Sequence, residues 1–154
     1  MEAAKGVGVT REMIEKALAL RASLDEVRGD VFDWCSGMGY ELRHARIKFG
    51  AKSVLLKTLF GTIIGVKRGL PYKEEIASIA HEICHDEFHS SCIAYRELKR
   101  VMIEREEGQA EMFASLVVFP SLTEYETADE FIRTCGVSHT LAEMRLKFFE
   151  KYGW

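Results

Sequence analysis

Apolar residues recur at two different periods along this chain, and the change of period divides it. Thr10 can cap an amphipathic helix that places Met13, Ala17, Leu18 and Leu20 on one side. A second short helix is expected from about Asp25 to Cys35, ending before Gly37 and Gly39. From Tyr40 to Val66 the period shortens to two. Tyr40-Glu41-Leu42-Arg43 alternates, as does Ala45 to Phe49, while Ser53 to Phe60 and Thr62 to Val66 are rich in branched and aromatic residues. Gly50, Gly61, Gly65 and Gly69 punctuate this stretch. It reads as a small, mostly antiparallel sheet of about three strands. After Pro71 the helical period returns: Ile76, Ile79, Ala80 and Ile83 predict a helix from about Lys73 to His89. A further helix covers about Tyr95 to Val118, with a break allowed near Gly108, and stops before Pro120. Two more are expected, around Ala128 to Thr134 and Thr140 to Tyr152. The predicted class is α+β, a small sheet packed on a helical bundle. No repeat, low-complexity tract or linker interrupts it, so residues 1–154 read as a single domain.

Composition narrows the function classes. An apolar fraction of 47% with 29% charged residues suits a chain with a real core. The net charge of −3 has no basic bias, which argues against direct nucleic-acid binding. Met1 to Thr10 lacks the apolar core of a secretion signal. No stretch approaches the ~18 apolar residues of a membrane span, so a cytoplasmic protein with no membrane partner is expected. The four cysteines, Cys35, Cys84, Cys92 and Cys135, form no CxxC pair and are expected as free, mostly buried thiols.

The chemistry concentrates in His81-Glu82-Ile83-Cys84-His85, an H-E-x-x-H sequence inside a predicted helix. Residues four apart on a helix differ by about 40° around its axis, so the two imidazoles project from one face. Their nitrogens can then meet one ion at the roughly 2.0–2.1 Å that zinc requires. Glu82 lies about 100° further round, beside the ion, where it can take a proton from water that the metal has acidified. The apolar positions Ile76, Ile79, Ala80 and Ile83 make this an internal helix, which weakens the reading of two incidental surface histidines. A catalytic zinc takes three protein ligands and leaves one position open. Glu104, Glu106, Glu107 and Glu111 on the next helix all offer a carboxylate, and spacing alone does not choose among them.

Beyond this local pattern, Ile79-Ala80-His81-Glu82-Ile83-Cys84-His85, then Glu107-Gly108-Gln109-Ala110-Glu111-Met112-Phe113-Ala114 and Val117-Val118-Phe119-Pro120, resembles the ImmA/IrrE family of metallopeptidases. That family typically shows A-H-E-x-G-H, then E-x-E-A-x-x-F-A followed by two apolar residues and M-P. Gly61-Thr62-Ile63-Ile64 and Leu70-Pro71 resemble its preceding hairpin and loop. Gly136-Val137-Ser138 with Leu141, Arg145 and Leu146 is similar to its ending. The likeness covers about 61–146. It implies zinc held by His81, His85 and Glu107, with Glu82 as general base. Glu111 is expected as a partner of a ligand histidine, and His89, two turns beyond His81 on nearly the same face, as a surface histidine or another such partner. Cys84 stands where the family has glycine, as packing or as an occasional soft ligand, and Phe119 replaces methionine. The implied substrate is a protein, often a helix-turn-helix transcriptional repressor in a stress response.

The remaining residues add little chemistry. His44 and His139 are expected to face solvent, and Trp34, Phe148, Phe149 and Trp154 to pack. Ser90-Ser91 lacks the Gly-x-Ser-x-Gly context of a nucleophile. His89 and Tyr95 are weak candidates for stabilising an oxyanion, and Thr62 to Val66 is expected to offer an edge to an extended substrate. Two other readings stand beside the peptidase. One is a regulatory protein that captures a repressor, or half of a toxin–antitoxin-like pair, without cleaving. The other is a closed structural zinc site built on His81, Cys84, His85 and one more ligand.

Overall fold

The computed structural model of the chain describes residues 8–47, 50–89 and 100–153. Cys92, Tyr95, Trp154 and the Ser90-Ser91 pair lie outside these residues. The first helix, α1 (Arg11–Glu26), begins where the cap residue places it, with the Thr10 hydroxyl accepting from the Met13 amide at 3.2 Å. Met13, Ala17, Leu20 and Leu24 form its buried stripe.

The expected helix from Asp25 to Cys35 is not continuous, because α1 ends and α2 (Val31–Gly37) starts within it. Arg28 and Gly29 adopt positive φ, 56° and 77°, and the Asp30 carboxylate then caps α2 by accepting from the Phe32 and Asp33 amides at 3.0 Å each. Gly29 is needed twice over. A Cβ there would sit 2.5 Å from the Tyr72 hydroxyl, which donates to the Gly29 carbonyl at 2.6 Å.

Three strands follow: β1 (Tyr40–Ala45), β2 (Ser53–Thr58) and β3 (Gly61–Lys67). Their spatial order is β1-β3-β2, with β1 parallel and β2 antiparallel to β3. The sheet is therefore mixed rather than mostly antiparallel. A two-residue hairpin forces β2 against β3, which leaves only the other side of β3 for β1, and there β1 runs parallel. It follows that Thr62 to Val66 is the centre of the sheet and not an edge, and that β2 is an edge strand.

Tyr40, Leu42, Ile64 and Val66 are buried on the inner face. Cross-strand register puts Ser53, Leu55 and Lys57 on that same face. The turn between β2 and β3 is held by the Thr58 hydroxyl, which donates to the Gly61 carbonyl at 2.9 Å and accepts from the Phe60 amide at 3.1 Å. The two turn residues, Leu59 and Phe60, are 100% and 99% exposed.

The inner face packs on α3 (Tyr72–Phe88), which in turn packs on α4, described over Arg100–Val118 and unbroken at Gly108. Ile79, Ala80 and Ile83 of α3 and Ala110, Phe113, Leu116 and Val117 of α4 are completely buried. Arg21 of α1 closes the far end of α4, donating to the Val117 and Val118 carbonyls at 3.0 and 2.7 Å. The last helices, α5 (Ala128–Thr134) and α6 (His139–Tyr152), bury Phe131, Leu141, Ala142 and Phe148 as a packing unit. Phe119 fits this core, with its ring edge-on to Phe131 at 5.0 Å. Phe149, expected to pack, is 44% exposed. Among the described residues no helix is long and apolar enough to cross a membrane.

Candidate metal centre

Helical spacing on α3 and α4 brings the predicted donors to one point. The Nε2 atoms of His81 and His85 lie 3.1 Å apart. Glu107 of α4 reaches both, with one oxygen 3.1 Å from His81 Nε2 and the other 2.9 Å from His85 Nε2. A tetrahedral ion with bonds of about 2.05 Å has ligand–ligand edges of about 3.3 Å. The two imidazole nitrogens stand at close to that spacing, and with one Glu107 oxygen the three donor atoms lie within 4.8 Å of one another, so this cluster can hold an ion. Of the four carboxylates left open by spacing, Glu107 is the one that meets both imidazoles.

The outer ring nitrogens are occupied as well. His81 Nδ1 lies 3.1 Å from a Glu111 oxygen, and His85 Nδ1 lies 2.9 Å from His89 Nδ1. Such contacts hold an imidazole in the tautomer and orientation that present its other nitrogen. His89 is buried and both its ring nitrogens are bonded, to His85 and to Gln109, which leaves no free N–H for an oxyanion. Cys84 is fully buried among apolar residues and its sulfur does not join the donor cluster. Burial, and then the charge of Glu107, push its thiol up to about 12. A four-ligand structural site through Cys84 is therefore not what the fold assembles.

Electrostatics at the cluster are dominated by the carboxylates. Burial alone lowers the pKa of His81, but bonds to Glu107 and Glu111 outweigh it and carry the imidazole up to about 10. Glu107 is held well below the usual carboxylate range by bonds from His81 and His85, against a smaller opposing effect of burial. Without a metal, His81 therefore holds a proton at the place where an ion would sit.

Glu82 is 8% exposed, and the Ser53 hydroxyl of β2 donates to its Oε1 at 2.9 Å. His81, Glu82, His85, Glu107 and Glu111 share one cleft of about 1320 Å³, walled on its other side by residues 50–57 of β2 and its approach. Two further contacts fix that wall. Asp86 of α3 accepts from the Tyr40 hydroxyl at 2.5 Å and from Lys57 Nζ at 2.9 Å. Burial would raise the Asp86 pKa, and these two partners lower it below the usual value. Glu74 accepts from Lys52 Nζ at 2.9 Å and from the Ser138 amide that opens α6.

Sequence reasoning missed Ser53, Glu74 and Gln109. Nothing in the sequence singled out Ser53, and it is the register with β3 that puts Ser53, Leu55 and Lys57 on the face turned to α3. His44, expected in solvent, is bonded to Glu75 with its ring 5.4 Å from that of Phe32. His139 is exposed as expected, beside Glu143. No family model matches the chain, and no curated protein or solved structure matches it either.

Proposed function

We propose that the chain is a cytoplasmic zinc-dependent endopeptidase with His81, His85 and Glu107 as ligands and Glu82 as the group that moves protons. The observation that supports this most is that the three donors, a buried carboxylate beside them and the free edge of a strand line a single cleft. The donor chemistry, two imidazoles and one carboxylate, suits zinc and leaves a fourth coordination position to the cleft. When bound, zinc supplies Lewis acidity, lowering the pKa of water toward neutrality and polarising a carbonyl oxygen.

The residues of the chain do the rest. Glu82, oriented by Ser53, accepts the proton from the attacking water and delivers it to the leaving amine. Glu111 and His89 keep the two imidazoles aimed. Among the described residues β2 pairs with β3 alone, so its other edge offers backbone N–H and C=O groups to an extended segment of substrate. That favours a protein substrate presenting an unfolded or extended stretch. The sequence resemblance suggests a helix-turn-helix repressor.

The test is metal analysis of the purified protein beside His81→Ala, followed by cleavage of a candidate repressor. Wild type should bind one zinc per chain and cleave. Glu82→Gln should keep the zinc and lose cleavage by about 10²–10⁴-fold. Wild type binding no metal ends the proposal. Equal release of repressor activity by wild type and Glu82→Gln would make the protein a capture module instead.

A further inference from the structure

Behind the donor cluster runs a chain of hydrogen bonds whose far end lies outside the cleft. His85 Nδ1 is 2.9 Å from His89 Nδ1, and His89 Nε2 is 2.8 Å from Gln109 Oε1. Gln109 Nε2 in turn donates to the carbonyl of Gly8, just ahead of α1, at 2.6 Å. His89 and Gln109 are both buried, 8% and 9% exposed, so water is a poor substitute for either partner.

Followed inward from Gly8, every proton position is determined. A backbone carbonyl can only accept, so the amide nitrogen of Gln109 must face it and the amide oxygen must face His89. That oxygen can also only accept, so His89 carries its proton on Nε2. In the neutral ring Nδ1 is then the acceptor. His85 must donate to it from Nδ1 and so keeps that proton, which makes Nε2, the atom turned toward Glu107 and His81, the nitrogen that gives up its proton to bind an ion. The reverse order would put a proton on His85 Nε2 and block ligation. His81 needs no such relay, because a carboxylate, Glu111, faces its Nδ1 directly.

We propose that Gln109 and His89 are positioning residues for the metal, forming with the Gly8 carbonyl a relay that holds His85 in its ligating tautomer. The proposal rests on reading the cluster as a metal site, and extends the His85–His89 contact outward to Gln109 and the Gly8 carbonyl.

Zinc affinity, read by competition with a chromophoric chelator, tests it without any substrate. Gln109→Leu and His89→Phe should each bind zinc about 10- to 100-fold more weakly than wild type. Gln109→Glu loses the donor to Gly8 but keeps an acceptor opposite His89 Nε2–H, so it should recover most of the affinity that Gln109→Leu loses, a rescue that a purely space-filling role would not give. Zinc bound equally by wild type and Gln109→Leu overturns the relay and leaves the metal site intact. No zinc on wild type overturns both. Should the variants fail to fold, ¹⁵N-imidazole spectra of zinc-loaded wild type decide the matter. His89 should appear as the Nε2–H tautomer and His85 as Nδ1–H, and the opposite assignment of His89 sinks the proposal.

Discussion

In the metal-free protein, His81 makes stability depend on pH in a range where few other groups titrate. Its pKa is about 10 when folded against 6.5 as an ordinary imidazole. A folded pKa above the unfolded one contributes stability that is complete below about 6.5 and is lost as pH rises toward 10. Within that window the folded chain keeps a proton that the unfolded chain has released. Unfolding free energy then falls by about 1.36 kcal/mol per pH unit. Glu107 is the other half of the same interaction, so its depressed pKa adds nothing further here. Cys35 and Cys84, raised to about 12 from 9.0, begin to contribute in the same direction only near pH 9. Between pH 7 and 8.5 the slope therefore belongs to His81, and the expected loss is about 2 kcal/mol. Urea denaturation in excess chelator at those two pH values measures it, with His81→Gln as the control that should be flat. Equal stability of wild type at both pH values, or the same slope in His81→Gln, refutes the reasoning. Zinc must displace this proton, so zinc affinity should strengthen about tenfold per pH unit over the same interval.

Other substitutions probe the elements that position the cleft. Ser53→Ala should lower kcat on the order of tenfold through a less well held Glu82, with KM and zinc stoichiometry unchanged in steady-state and metal assays. Arg21→Ala removes two charge-assisted bonds from the carboxyl end of α4 and should cost about 1–3 kcal/mol in urea unfolding at constant m-value. Gly29→Ala meets both a positive φ and the Tyr72 hydroxyl, and should lower stability by about 1–3 kcal/mol in the same assay.

What was legible in the sequence was what local periodicity encodes. Two histidines one turn apart had to share a face, and they do. Thr10 had a hydroxyl at the start of an apolar stripe, and it caps α1. The helix over Ala128–Thr134 has the bounds its pattern predicted. The order of the strands was not legible, because alternation gives each strand its faces but not its neighbours. The same limit hid the supporting residues of the site. Ser53 meets Glu82 from 29 residues away, and Gln109 meets Gly8 from 101. Neither contact leaves a trace in nearby residues. The break at Arg28 and Gly29 was missed because the amphipathic pattern continues across it. The glycine there answers to Tyr72, which is distant in sequence. His44 was misplaced for a similar reason, its partner Glu75 being on another element.

The hairpin that ends in Leu59 and Phe60 leaves both side chains in water, making no contribution to the folded state that the unfolded chain lacks. Evolution and engineers are thus free to rewrite this pair without repacking anything. The protein can change what sticks to that corner, or whether anything does, while its core and its donor cluster stay as they are.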